Sequence, residues 1–139
     1  MKLTHVITKF FLAVLAGLAF AVTAQAMTVE VHGNQIFATG RVDGDDFGRF
    51  ETALSTAGVD TVVFVNSPGG DLRNGLRIAR LIVAKGLNTV AAGYCISSCA
   101  IMFMGGKQRS FSDVLRPLGT YIGIHGAHNR STKEVNPLP

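Results

Sequence analysis

The fold of this chain is decided by residues 60–86, which read DTVVFVNSPGGDLRNGLRIARLIVAKG. The run 60–66 is continuous and β-branched, which is typical of a strand covered on both faces in a parallel sheet. Residues 67–70 predict a turn, and residues 71–85 predict a helix closed by Gly86. The arginines of this helix are expected to face solvent. Its buried face is expected to comprise Leu72, Leu76, Ala79 and Val83.

The segments on either side repeat this alternation of strands and helices. Further strands are predicted over 28–32, 35–42, 89–93 and 120–124. A helix capped by Asp45 or Asp46 is predicted to end at Gly58, and a second helix is predicted over 98–104. The order predicts an α/β domain with a mainly parallel sheet and right-handed β–α crossovers.

The first 26 residues predict a signal peptide. Residues 10–24 read FFLAVLAGLAFAVTA, carry no charge, and end in the small-x-small pattern of Ala24-Gln25-Ala26. The run is short for a membrane span, although a retained anchor is the alternative. We predict cleavage after Ala26 and a periplasmic or secreted protein with no membrane contact. The mature chain would then consist of a domain over 27–128 and a polar tail over 129–139.

Composition limits the class of protein. With 139 residues, 47% hydrophobic and 16% charged, the chain has the length of one folded domain and is not a disordered protein. The formal charge of +4 includes Lys2 and Lys9, and the mature part keeps 11 basic and 9 acidic side chains, a charge of +2. So small a charge gives no indication of a nucleic-acid partner.

Three segments carry residue types suited to catalysis. The paired glycines in 66–70 let a backbone amide approach a ligand closely. Residues 92–100, AGYCISSCA, join a strand to a helix, where free amides would stabilise an oxyanion next to a serine. Residues 121–126, YIGIHG, end a strand with a histidine that could act as a general base. Taken singly, each segment has an ordinary alternative: a βα turn, an N-cap serine or a packed histidine.

In this order and spacing, the three segments resemble the Clp-type serine peptidases of the ClpP/crotonase fold. The resemblance covers residues 29–128 and extends to exported proteins of this fold with a C-x-S-x-C motif around the serine. It implies that Ser97 is the nucleophile and His125 the general base. The backbone amides of Gly70 and Ser98 would form the oxyanion hole. The implied function is an exported, peptidase-like serine hydrolase that acts on peptides or proteins and could be a homo-oligomer.

Two departures from this family bear on activity. The third member of the family's triad is an acid on a later element, whereas Glu134 is the one acidic residue after His125. We therefore expect the chain to lack the C-terminal part of the fold and to be weakly active. The second departure is the pair Cys95 and Cys99, which could form a disulfide, bind a metal or remain as buried thiols.

Two other functions stay open at this point. The same fold without a complete triad could serve as a non-catalytic binding or assembly module. A zinc site could be built from Cys95, Cys99, His125 and His128, although export favours oxidation of the cysteines. Gly105-Gly106-Lys107 lacks the earlier glycine of a phosphate-binding loop. We therefore expect no metal, no cofactor and no ATPase partner.

Overall fold

A computed structural model describes residues 26–115, 117 and 119–126. Residues 1–25 of the predicted signal peptide, His128 and the predicted tail lie outside this part of the chain. The described strands are β1 (Thr28–His32), β2 (Gln35–Val42), β3 (Thr61–Gly70), β4 (Asn88–Ile96), β5 (Arg109–Ser112) and β6 (Tyr121–Gly123). The described helices are α1 (Asp46–Ala53), α2 (Leu72–Lys85) and α3 (Ser98–Met104).

The strands form one sheet in the order β1-β2-β3-β4-β5, and β6 also pairs with β4. β1 is antiparallel to β2, and every other pair is parallel. β5 pairs with residues 89–92 of β4 and β6 pairs with residues 94–96, so the two short strands follow one another beside β4. The mainly parallel α/β architecture is confirmed, with β3 inside the sheet rather than at its edge.

The core lies between the sheet and the helices. Because side chains alternate along a strand, every second residue of β2, β3 and β4 faces the helices. The fully buried core residues include Ile36, Val62, Phe64 and Ala91 from the strands and Phe50, Ile78, Ile82 and Met102 from the helices. The alternate residues, among them Phe37, Val63, Val65 and Val90, line an open groove of about 730 Å³ on the other face.

Helix α2 has the predicted ends but a different buried face. The side chain of Asp71 accepts a hydrogen bond from the backbone N–H of Asn74 at 2.7 Å, and Gly86 ends the helix at a φ of 63°. The buried side of α2 comprises Asn74, Gly75, Ile78, Ala79 and Ile82. Leu72, Leu76 and Val83 are exposed, so their predicted burial was wrong, whereas that of Ala79 was right. The helix carries two apolar stripes, and the one with Ile78 and Ile82 faces the core.

Two further elements differ from the prediction. Helix α1 ends at Ala53 rather than at Gly58, and Asp45 occupies its N-cap without a side-chain hydrogen bond. Strand β5 was not predicted, because the sequence RSFS has no run of apolar or β-branched residues. Among the helices of the described part of the chain, none has the length and apolar character needed to span a membrane.

Candidate active site

The first part of the candidate site is the carboxyl end of β3. Residues 67–70 were predicted to form a turn, and this was wrong: they continue β3, paired with its neighbouring strands, up to Gly70. Register shifts on both sides of β3 let the strand accommodate the proline and the glycines. The buried hydroxyl of Ser67 accepts a hydrogen bond from the N–H of Gly69 at 3.3 Å. The glycines therefore lie in a segment held by strand pairing rather than in a loop.

Gly69 lies directly against the turn that joins β4 to α3. A Cβ atom at this position would lie 2.8 Å from both Ser97 Cβ and Ser98 N, and it would collide with the carbonyl oxygen of Ile96. The residue also has a φ of 76°, which side chains rarely adopt. No side chain can therefore replace this hydrogen without moving the turn, and the end of β3 is held against residues 96–98.

Gly70, whose amide was predicted to form part of the oxyanion hole, ends β3 beside β2. It pairs with Val42, and the N–H of Asp71 donates to the Val42 carbonyl oxygen at 3.0 Å. Its φ is 152°, and an added Cβ would collide with that same carbonyl oxygen. Gly70 is therefore packed against β2, and its role as an oxyanion donor stays a prediction.

Ser97 occupies the N-cap position of α3 but does not cap the helix. Its φ is 59° and its ψ is −124°, and its side chain makes no capping hydrogen bond. Its N–H donates to the carbonyl oxygen of Gly123 in β6 at 2.8 Å, while its own carbonyl oxygen accepts from Ile101 N at 3.3 Å. A positive φ is uncommon for a serine and costs free energy, and such conformations concentrate at functional sites. The ordinary N-cap interpretation therefore does not fit this serine.

The neighbours of Ser97 are buried on both sides. Cys95 and Cys99 are joined by a disulfide bond with a Cα–Cα distance of 5.2 Å, and both are fully buried. Ser98 is also fully buried, and its hydroxyl has no hydrogen-bond partner among the described residues. Ser97 is half-buried, so of the two serines it is the one that a ligand can reach.

His125 lies two residues beyond the end of β6, the strand whose Gly123 contacts Ser97. Pairing of Ile96 with Gly123 brings the carboxyl ends of β4 and β6 to the same edge of the sheet. The imidazole is exposed, and its Nδ1 lies 2.9 Å from the carbonyl oxygen of Gly126. Because a carbonyl oxygen only accepts, this contact assigns the proton to Nδ1 and leaves Nε2 of the neutral ring as an acceptor.

The carboxylate that follows the end of β3 is that of Asp71. The backbone N–H of Asn74 donates to it and holds the pKa of this carboxyl below its ordinary value. This interaction also fixes the start of α2, the helix that packs against α3. Gly75 of α2 faces Ser98, where an added Cβ would lie 2.7 Å from the serine Cβ. Asp71 therefore contributes to the placement of α2 against the turn that contains Ser97 and Ser98.

The alternative zinc site does not assemble in the described residues. The bridged sulfurs of Cys95 and Cys99 are not thiolates, and His128 lies outside the described part of the chain. Within residues 26–126 as described, no three His, Cys, Asp or Glu side chains are grouped so that they could hold a metal ion.

The structure thus brings Ser97, Ser98 and both cysteines together with the end of β3, and it places His125 at the neighbouring strand end. Their chemical roles remain predictions. Sequence reasoning missed two contributors, Gly69 and Gly123, which contact the serine turn through their backbones. The signals were present, because Gly69 is the first glycine of the pair and Gly123 precedes the histidine by two residues.

Comparison with known proteins bears on the family. Residues 52–114 match the model of the Clp protease family. Comparison with curated proteins gave no significant match. Among solved structures, an enoyl-CoA hydratase from Mycobacterium avium subsp. paratuberculosis K-10 shares 14% identity with a TM-score of 0.49, covering 66% of this chain and 49% of that chain.

An enoyl-CoA hydratase from Thermoplasma volcanium GSS1 shares 13% identity with a TM-score of 0.47, covering 68% of this chain and 50% of that chain. The chain therefore matches about half the length of these solved structures. The matched family segment begins in α1, includes β3, α2, β4 and α3, and contains Ser97 and both cysteines. Residues 52–114 are thus similar to the Clp protease family, which confirms the resemblance predicted from the motifs of this segment.

Proposed function

We propose that this chain is a serine hydrolase, peptidase-like in its choice of acyl substrate, with Ser97 as nucleophile. The observation that carries the proposal is the backbone of Ser97, with a φ of 59° and a ψ of −124° at a strand-to-helix junction. In this conformation the Ser97 side chain does not make the hydrogen bond to the helix backbone that an N-cap serine usually makes. A strained, half-buried hydroxyl is expected where the fold presents a nucleophile.

The proposed chemistry is acyl transfer through a tetrahedral intermediate. Oγ of Ser97 would attack the carbonyl carbon of a peptide bond or ester while Nε2 of His125 takes the hydroxyl proton. The negative oxygen would accept hydrogen bonds from the N–H groups of Gly70 and Ser98. The leaving amine or alcohol would then take the proton from His125, and water would release the acyl group by the same steps in reverse.

The assignment is supported by the place of His125, just beyond the end of the strand whose Gly123 carbonyl oxygen accepts the Ser97 N–H. The contact of Nδ1 with the Gly126 carbonyl oxygen requires a proton on Nδ1, which suits Nε2 to act as the base. The sequence prediction assigns no acid as the third member of the triad. Slow turnover of peptides is therefore expected.

A fluorophosphonate probe tests the proposal, because it forms a covalent bond only with an activated serine. We expect labelling of the folded protein, with the adduct located at Ser97 by mass spectrometry of peptides. Ser97→Ala should abolish labelling, whereas Ser98→Ala, the matched control one residue away, should leave it unchanged. Labelling at Ser98 would show that Ser98, and not Ser97, is the nucleophile. No labelling of folded protein would favour the non-catalytic binding module.

We also propose that the protein is exported and cleaved after Ala26. Strand β1 begins at Thr28, directly after the predicted cleavage site, and Met27 is fully buried in the core. The disulfide between Cys95 and Cys99 fits an oxidising compartment. N-terminal sequencing of protein from the periplasm or the medium should begin at Met27, and a start at Met1 would instead indicate a retained anchor.

Self-association is part of the same proposal. The open groove on the second face of the sheet is lined mainly by apolar side chains, and Phe111 and Val114 near it are 58% and 78% exposed. Apolar surface of this kind is typical of an interface. Sedimentation velocity should show an oligomer, and a monomer at micromolar concentration would contradict this part of the proposal.

A further inference from the structure

The conformation of Ser97 needs restraint from its surroundings. A serine with a φ of 59° relaxes toward a negative φ unless the neighbouring chain prevents it. Asp71, by contrast, adopts an ordinary N-cap conformation at the start of α2, with a φ of −63°. Something on both sides of residue 97 must therefore hold the turn.

Non-covalent contacts restrain only part of the turn. The hydrogen bond from Ser97 N to Gly123 O fixes the turn to β6, and Gly69 packs against it from β3. Ser97 O accepts the Ile101 N–H at 3.3 Å, a long bond at the first turn of a helix that has only seven residues. So short a helix contributes little stability of its own, and these contacts alone leave its first turn weakly held.

The disulfide bond connects the two sides of the turn. Cys95 is two residues before Ser97, in β4 and paired with Ser67 of β3. Cys99 is two residues after it, in the first turn of α3. The bond fixes their Cα atoms 5.2 Å apart, so that the intervening residues must reverse direction within this span. Any rotation of Ser97 to a negative φ would have to move one of these two anchored residues.

We propose that the Cys95–Cys99 disulfide is a positioning element for the nucleophile, which holds Ser97 and the adjoining Ser98 amide in their reactive arrangement. The inference rests on the proposed function of Ser97. It assigns to the bridge a role in reactivity that is separate from its contribution to stability. In the bridged protein Ser97 reacts with acylating and phosphonylating reagents, and in the unbridged protein the turn relaxes and the reaction slows.

The test compares rates of fluorophosphonate labelling at Ser97 in the full-length exported protein. Cys95→Ala/Cys99→Ala removes the bridge, and we expect labelling at least tenfold slower than in the wild type. Ile36→Ala is the matched control, because Ile36 is fully buried but lies at the opposite end of the sheet, next to Val62. It should lower the melting temperature and leave the labelling rate within twofold of the wild type.

A second measurement does not depend on the variant folding. The wild type is reduced with a phosphine, which is oxidised to its oxide as the disulfide becomes two thiols. The fraction of alkylated cysteine and the labelling rate are then measured in the same sample. We expect labelling to fall in proportion to the alkylated fraction while circular dichroism keeps its native signal.

The outcomes separate this inference from the proposed function. Absence of labelling in the bridged wild type means that the proposed function fails. Labelling of the wild type together with equally fast labelling of the unbridged protein overturns the positioning role alone. Slow labelling of Ile36→Ala, or loss of the native fold in both unbridged forms, would assign the bridge to stability only and would also overturn it.

Discussion

The junctions that follow β3 and β4 both lead from a parallel strand into a helix, and they begin their helices in opposite ways. After β3, Asp71 has a φ of −63° and its carboxylate accepts the Asn74 N–H at 2.7 Å, so the cap stabilises α2. After β4, Ser97 has a φ of 59° and its hydroxyl caps nothing. Serine is as good an N-cap residue as aspartate, so the residue type does not explain the difference.

The difference separates a junction that stabilises its helix from one that is proposed to present a reactive hydroxyl. At the first junction the Asp71 side chain accepts a backbone N–H of α2. At the second junction Ser97 has a strained, positive φ, and its hydroxyl makes no capping bond. The pKa of Asp71 is lowered, because the backbone N–H of Asn74 donates to its carboxylate. Substitutions at the two junctions should therefore affect different quantities.

The largest effect is expected at the base next to the second junction. His125→Gln should slow labelling or hydrolysis through Ser97 by about 10²- to 10⁴-fold, because no group would remain to accept the hydroxyl proton. The rate of fluorophosphonate labelling measures this. His32→Gln is the control, since His32 is an exposed residue of β1 beside Glu30. Equal rates for His125→Gln and the wild type would remove His125 from the mechanism.

Loss of the bridge should cost stability as well as reactivity. The disulfide closes a loop of only a few residues, for which the chain-entropy relation gives about 2 kcal/mol. Urea unfolding of Cys95→Ala/Cys99→Ala against the wild type measures the change in the free energy of unfolding. A change below about 0.5 kcal/mol would mean that the turn is already held by its hydrogen bonds.

At the first junction, Asp71→Ala should lower the free energy of unfolding by about 1 kcal/mol, the usual cost of a lost cap. Because the folded pKa is below the ordinary value, the carboxylate contributes fully above about pH 4 and loses its effect as the pH falls through the folded pKa. Melting temperatures of the wild type and Asp71→Ala should therefore converge on acidification. Asp71→Asn is the control, because it keeps a capping oxygen that does not titrate. If the melting temperatures of Asp71→Asn and Asp71→Ala also converged on acidification, titration of the cap would not explain the effect.

Ser97→Gly should raise the free energy of unfolding, whereas Asp71→Ala should lower it. Glycine adopts a positive φ without strain and no capping bond is lost, so the variant should be about 0.5 kcal/mol more stable after the flexibility of its unfolded chain is counted. Labelling should disappear at the same time. Thermal unfolding measures the gain, and destabilisation by more than 1 kcal/mol would show that the serine hydroxyl has a structural partner.

The smallest effect is expected at Ser98. Its buried hydroxyl has no partner among the described residues, so Ser98→Ala removes an unsatisfied group and should change stability by less than about 0.5 kcal/mol, if anything upward. Denaturant unfolding checks this. A loss above 1 kcal/mol would indicate that a buried water satisfies the hydroxyl.

Sequence alone was enough for the architecture but not for the strain at Ser97. Periodicity located β3 and α2 because a β-branched run and a capped, glycine-terminated helix are strong local signals. It assigned Leu72, Leu76 and Val83 to the core because spacing alone does not say which of two apolar stripes meets the sheet. Strand β5 escaped detection since its hydrogen bonds to β4, and not its composition, define it.

The candidate site was partly predictable for a similar reason. The order of the motifs pointed to Ser97 and His125 through a family resemblance, not through propensity. No local rule places a serine at a positive φ. Two of the restraints come from Gly69 and Gly123, which lie elsewhere in the chain, and the third comes from a disulfide bond that the sequence left open. The turn predicted over residues 67–70 was wrong because pairing with two neighbouring strands keeps this segment within β3.

The short span of the disulfide has a consequence for the order in which the molecule matures. With two cysteines in the sequence, one intramolecular pairing exists, and closing so small a ring costs little chain entropy. In a chain exported as proposed, the bond can therefore form before β3, β4 and β6 have met, and no rearrangement between alternative pairs is needed. Once the sheet closes, both sulfurs are fully buried. Oxidation would then precede closure of the sheet, and burial would slow later exchange with external thiols.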